Sequence, residues 1–279
     1  MKKILLFALL MLNVSVSWAF ESTPYLKFLK GHFEQGGYIH GETVPFAKLT
    51  LGEQKTTADE LGKFFMGIER LAEPSQKLEI SVLGGDNHTV PFKIKTHAYE
   101  TQYIKGVKDK HVTPRSEADW AQIKSDTDKI NAARAHEPLS IDYILQDFSY
   151  PVSGTVTGVY GSRRFYNGEE RSWHKGYDFA EKTGTPIHAP QAGVVRLALP
   201  NSYFNGNLVI VEHGYGMMTL YAHLNSINVK EGQEVQKGDI LGTLGSTGRS
   251  TGPHLHFGLY WGKMALNPML LYKEQTSLK

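Results

Sequence analysis

The sequence predicts a mainly β protein: a small antiparallel β sandwich-like domain in the N-terminal half, a connecting helix, and an antiparallel β-sheet domain in the C-terminal half. Three observations predict it. Short runs of alternating apolar and polar residues, separated by Gly, Asp and Asn, recur through both halves, as half-buried strands joined by tight turns require. Helical periodicity is confined to one stretch near the middle. The 279 residues, 41% hydrophobic and 21% charged, suffice for two ordinary cores.

Residues 1–19 read as a signal peptide. Lys2 and Lys3 precede an apolar run from Ile4 to Leu12, and Ser17-Trp18-Ala19 offers small residues for cleavage. The run is too short to span a bilayer, and no later stretch approaches the roughly 20 apolar residues a membrane helix needs. Export of a chain with no membrane span after signal removal is therefore expected. The chain has no cysteine, which excludes a lipid-modified N-terminal cysteine, a thiol nucleophile and a thiolate metal site. Any metal must be held by His and carboxylate. A net charge of +2 gives no basic face for nucleic acid.

Residues 20–112 form the expected β-rich N-terminal domain. Leu49-Thr50-Leu51, Lys63 to Ile68, Leu78 to Leu83 and Val90 to Ile94 are its strand candidates, each next to a turn signal. The six histidines between residues 1 and 136 share no metal-like spacing. A helix is expected within 113–137. Pro114 fits its first turn, Ser116 with Asp119 gives a partial capping signal, and Trp120, Ile123, Thr127, Ile130 and Arg134 recur at helical spacing. Glu137-Pro138 should end it, and 138–149 reads as a linker. Residues 150–273 form the second domain, with strands at Gly193-Val194-Val195, Leu208 to Val211, Met218 to Tyr221, Asp239 to Leu241 and His254 to Phe257; 274–279 reads as a tail.

His254-Leu255-His256 is the strongest local feature, because side chains two apart on a strand enter the same space. The Gly245 to Pro253 segment before it reads as a tight loop. It lacks the Lys-Ser/Thr ending of a phosphate-binding loop. His174 and Asp178, four apart, offer an imidazole and a carboxylate that can converge on a metal. Zinc held by three N/O ligands keeps a fourth position for water, the mark of a catalytic site. His223 in Leu220-Tyr221-Ala222-His223-Leu224 supplies a further imidazole, while His188 and His213 read as strand-end or turn residues.

Five elements in order carry a family resemblance: His174-x-x-x-Asp178, Gly184-Thr185-Pro186-Ile187-His188-Ala189-Pro190, Tyr221-Ala222-His223-Leu224, Val235-x-Lys237-Gly238-Asp239-x-Leu241-Gly242, and Gly252-x-His254-x-His256. On them the C-terminal half resembles the M23 (lysostaphin/LytM-like) zinc metallopeptidases. The resemblance implies that His174, Asp178 and His256 bind one zinc ion per chain, and that His223 and His254 are catalytic without being ligands. It further implies hydrolysis of peptide cross-links in bacterial peptidoglycan, with the D-Ala cross-link of a Gram-negative wall favoured over a glycine bridge, and with the periplasm favoured over the extracellular space. The alternative is a non-catalytic activator or wall-binding module on the same fold, which the complete ligand set opposes. A biotinyl- or lipoyl-type carrier would need a lysine displayed at a hairpin tip. The loops from Arg163 to Trp173 and from Ser246 to Pro253 are the expected groove walls, and Arg163 is the expected contact for a substrate carboxylate. The N-terminal half is expected to act as a regulatory cover over the groove.

Overall fold

The computed structural model describes residues 25–107, 113, 116–139 and 146–278; the expected signal peptide lies outside the described residues. Alternation in the N-terminal half builds two four-stranded antiparallel sheets. One contains β1 (Leu26–Gly31), β2 (Tyr38–Thr43) and β5 (Lys63–Gly67); the other contains β3 (Lys48–Leu51), β4 (Gln54–Thr57), β6 (Ser75–Ser81) and β7 (Asn87–Lys93). The inward residues form one core in which Leu26, Ile39, Leu49, Met66, Leu78 and Ile80 are fully buried. The expected sandwich is therefore present. Its fourth strand on the β1 edge is β22 (Thr276–Ser277), from the segment expected to be a tail.

The last strand before the helix, β8 (Thr101–Ile104), leaves the sandwich and pairs in parallel with β10 (Arg163–Tyr166), which also pairs with β11 (Glu169–Arg171). Helix α1 (Glu117–Arg134) begins where the capping signal places it: the Ser116 hydroxyl accepts from the Asp119 N–H at 3.0 Å. Its inner stripe differs from the expected one. Trp120 is 56% exposed, and the helix buries only Asp126 and Ala133. Docking is largely polar: the Tyr203 N–H donates to Asp126 Oδ2 (2.7 Å) and Gln122 Nε2 donates to the Asn201 carbonyl (2.8 Å).

The C-terminal half centres on an eight-stranded antiparallel sheet. Its strands are β9 (Thr155–Gly158), β12 (Gly176–Ala180), β14 (Gly193–Ser202), β15 (Gly206–Gly214), β16 (Met217–Leu224), β18 (Glu234–Val235), β20 (His254–Trp261) and β21 (Met264–Leu266). A small second sheet of β13 (Pro186–His188), β17 (Ser226–Ile227) and β19 (Ile240–Thr243) covers its apolar face. Between them Ile187, Val209, Tyr221, Leu241, Leu255 and Phe257 are fully buried. A 3-10 helix (Pro268–Tyr272) closes one end, where Leu266 and Leu270 join Tyr38 and Phe65 of the sandwich in a shared cluster. The two halves are thus packed together, not tethered. Among the described residues no helix is long and apolar enough to cross a membrane.

Candidate metal centre and its cleft

Strand period decides which side chains meet. On β20, Leu255, Phe257 and Leu259 are fully buried in core clusters, so His254 and His256 project from the other face. Antiparallel pairing sets Asp178 of β12 opposite His256, and Ala222 of β16 opposite His256 on the other side. His174 lies just before β12, its backbone pinned by exchange with Ser162 and Gly161 (His174 N to Ser162 O, and Gly161 N to His174 O, 2.8 Å each). The result is a triangle of ligand atoms. His174 Nε2 lies 3.0 Å from Asp178 Oδ1 and 3.0 Å from His256 Nδ1, and the last two are 2.8 Å apart.

Two glycines make room for it. A Cβ on Gly176 would stand 2.9 Å from His256 Cε1, and one on Gly158 would stand 2.4 Å from Asp178 Oδ2 and 2.5 Å from Arg164 Nη2. Gly158 therefore permits a buried ion pair, in which Arg164 Nη2 donates to Asp178 Oδ2 at 2.6 Å. Arg164 is held in turn by Gln102 Oε1 of β8, at 3.1 Å.

The donor set fits a cation. His174 Nδ1 lies 2.9 Å from the Val159 carbonyl, which can only accept, so Nδ1 carries the proton and Nε2 presents a lone pair. Burial holds His174 down to about 4, against the opposing pull of Asp178, so the ring is neutral at pH 7. Burial would raise the Asp178 carboxyl, but His174 and His256 outweigh it and hold it well below the ordinary range. An unprotonated imidazole and an ionised carboxylate at 3.0 Å are the forms a metal ligand must take. Among the described residues this is the one group of three or more His, Cys, Asp or Glu close enough to share an ion.

The other two expected residues stand beside the triangle. The His223 ring centroid lies 4.7 Å from that of His254 and 6.2 Å from that of His256. His223 has φ +63°, a left-handed conformation that costs a non-glycine residue about 1–2 kcal/mol. It is held there by its N–H on the Asn205 carbonyl (2.8 Å) and by Nδ1–H on the Thr247 carbonyl (2.8 Å), which turns Nε2 toward the cleft. Burial, with His254 and His256 alongside, keeps His223 well below its usual range and therefore uncharged. His254 Nδ1 is 2.9 Å from the Gly252 carbonyl, so Nδ1 donates there and Nε2 is left for the cleft.

The site opens into a cleft of about 410 Å³ walled by α1, the β10–β11 hairpin and residues 249–251. Both expected wall segments contribute to it, the first as a hairpin and not a loop. Arg163 is not brought to the cleft. Alternation on β10 turns it outward, 54% exposed and paired with Glu170 at 2.6 Å, while Arg164 and Tyr166 face inward. The sequence reading passed over Arg164; its i, i+2 relation to Tyr166 was the available signal, but neighbouring arginines do not reveal which faces in. His188 sits at the end of β13, as expected. His213 also lies at a strand end, next to last in β15, and is fully buried, with ring nitrogens 2.7 Å from the Ala192 carbonyl and 2.7 Å from Thr219 Oγ1.

The sheet thus presents a His/Asp/His triangle that could hold a metal ion, with two further histidines beside it in an open cleft. The comparisons point the same way: residues 172–268 match the model of Peptidase family M23. Peptidoglycan DD-endopeptidase ShyA of Vibrio cholerae serotype O1 is 40% identical over 123 residues, covering 43% of this chain and 28% of that protein. DD-carboxypeptidase/endopeptidase Mpg of Neisseria meningitidis serogroup B is 42% identical over 96 residues, 34% of this chain and 22% of that protein. The chain thus spans about a quarter of the length of these curated relatives. A Pseudomonas aeruginosa protein, whose crystal structure is described as a peptidase M23, is 27% identical with a TM-score of 0.64, covering 86% of this chain and 95% of that one.

Proposed function

We propose that the chain is an exported zinc endopeptidase that hydrolyses peptide cross-links of bacterial peptidoglycan, with the D-Ala cross-link favoured and the periplasm as its place of action. The convergence of His174 Nε2, Asp178 Oδ1 and His256 Nδ1 within 3.0 Å of one another carries this reading. The names of ShyA and Mpg support the substrate class. The same three residues would hold the zinc. Bound zinc supplies Lewis-acid polarisation of the scissile carbonyl and an acidified water.

His223 and His254 do the proton work. Each holds Nδ1 on a backbone carbonyl and leaves Nε2 for the cleft, and the neutral state of His223 suits it to accept a proton at neutral pH. Between them they accept and return the proton and donate to the developing oxyanion. Arg164 fixes the Asp178 carboxylate from behind, so one oxygen stays aimed at the triangle.

Helix α1 is the element suited to regulate access. Ile130, Asn131 and Arg134 line the cleft, whereas the sandwich strands β1 to β7 do not. The cover expected of the whole N-terminal half is therefore narrowed to this helix and to the end of the N-terminal half, whose Ile104 and Val107 line the same cleft.

Digestion of purified Gram-negative sacculi tests the reading. Soluble stem peptides should be released by the zinc-loaded protein, release should stop with a chelator, and added zinc should restore it. Undiminished release by chelated protein would sink the assignment.

A further inference from the structure

Arg249 stands in the cleft wall with no polar partner for its guanidinium among the described residues. Its Cζ lies 4.8 Å from the Tyr166 ring centroid and 4.5 Å from that of Phe204. No hydrogen bond or ion pair to a described residue engages its side chain, although its backbone N–H is fixed on the Phe204 carbonyl at 2.9 Å. Rings against the guanidinium faces leave the in-plane N–H fork open, the edge that binds a carboxylate in bidentate fashion. Burial among these rings works against the charge and lowers its pKa; Tyr166 offsets part of this, while Arg164 and Arg171 add to it.

The surrounding charge is one-sided. The cleft is lined by Arg134, Arg164, Lys175 and Arg249, and Asp178 is the one carboxylate among its described lining residues. Asp178 is already engaged by Arg164, His174 and His256. Arg134 has a buried Nε with no partner and stacks on Tyr260, 3.8 Å from the ring centroid. Among the described residues lining the cleft no carboxylate is left to answer these cations, so an anionic substrate group would complement them. Arg249 is also tied to the catalytic geometry, because His223 Nδ1 is anchored on Thr247 two residues earlier and Ser250 Oγ lies 3.2 Å from His254 Nδ1.

We propose that Arg249 is a specificity-determining residue that receives a free carboxylate of the substrate's peptide stem, so that the cleft selects stems whose carboxyls are free over stems whose carboxyls are amidated. The proposal rests on reading the cleft as a peptide-stem site. It replaces Arg163 as the carboxylate contact, for the reason that strand alternation turns Arg163 away.

The test is binding to the zinc-loaded full chain, by calorimetry, of a disaccharide-tetrapeptide monomer from Gram-negative wall. One probe carries free peptide carboxyls and the other carries primary amides; neither has a cross-link to cut. The parent should bind the free-acid probe about 10- to 100-fold more tightly, the scale of a charge-assisted bidentate contact. Arg249→Gln should erase that preference while binding the amide probe within about twofold of the parent, with its zinc content and unfolding midpoint retained. Arg249→Lys, which keeps the charge but loses the fork, should restore part of it. On a cross-linked dimer, Arg249→Gln should raise KM with little change in kcat. Equal affinity of the parent for both probes, no measurable binding of the free-acid probe, or an equal loss on both probes in Arg249→Gln would overturn the proposal. A free-acid preference that Arg249→Gln erases in a protein that does not digest sacculi would uphold the carboxylate site and reject the endopeptidase reading.

Discussion

Asp178 and His256 face one another across the antiparallel β12–β20 pair, with Asp178 Oδ1 2.8 Å from His256 Nδ1 and Arg164 Nη2 2.6 Å from the other carboxylate oxygen. The carboxylate is therefore both a candidate ligand and the counter-charge of a buried arginine. Asp178→Ala should strip zinc and also destabilise the protein by about 3–5 kcal/mol, because it strands the Arg164 charge. Metal analysis and urea unfolding read the two effects. Retained zinc would refute the ligand assignment.

Gly158→Ala tests the support behind that carboxylate. A methyl 2.4 Å from Asp178 Oδ2 must displace the ion pair or the strand that carries it. Zinc affinity, measured by competition with a chelating dye, should fall about 10- to 100-fold, the usual consequence of losing a partner that orients a ligand. Unchanged affinity would show that Arg164 does not orient Asp178.

His223→Ala and His254→Ala should retain zinc and lose about 10²- to 10⁴-fold in turnover, the scale of a positioned acid or base. Digestion rates at equal zinc occupancy provide the check. A parental rate in either variant would remove that histidine from the catalytic pair.

The candidate triangle was legible through the family resemblance, whose motifs are local. His254-x-His256 needs only the strand period, and His174-x-x-x-Asp178 only a short approach to β12. The Ser116 cap was legible because it is local too. What the sequence concealed depends on distant pairing. The parallel β8–β10 contact brings Gln102 to Arg164, and β22 crosses back to the first sheet; neither pairing leaves a trace in a one-dimensional pattern. The Arg163-Arg164 pair shows the limit most plainly. A strand alternates, but adjacent identical side chains give alternation nothing to read, and only the fold shows Arg164 facing inward.

His213 gives the protein a pH dependence outside the metal centre. Burial holds it down to about 4, offset in part by the Ala192 carbonyl, whereas an unfolded histidine titrates near 6.5. Above 6.5 both states are neutral and His213 contributes no slope. Between 6.5 and 4 the unfolded chain binds the proton and the folded chain does not, so stability falls as pH falls, by about 3 kcal/mol across the window. Urea unfolding of parent and His213→Gln at pH 7 and pH 4.5 should show a shallower acid loss in the variant. Equal slopes would contradict the depressed value.

Asp126→Ala tests the assignment of α1 as cover. The change removes the acceptor for the Tyr203 N–H and loosens the helix where it docks on the β14 edge. Sacculus digestion should rise at equal zinc occupancy. An equal or lower rate would make the helix a structural support.

The composition of the soluble products released from purified Gram-negative sacculi tests the central claim most directly. Chromatography with mass detection should show cross-linked dimers declining and monomeric stems accumulating, with glycan length unchanged, only while zinc is bound. Intact cross-links after prolonged incubation of fully zinc-loaded protein, or shortened glycans with the cross-links preserved, would contradict it.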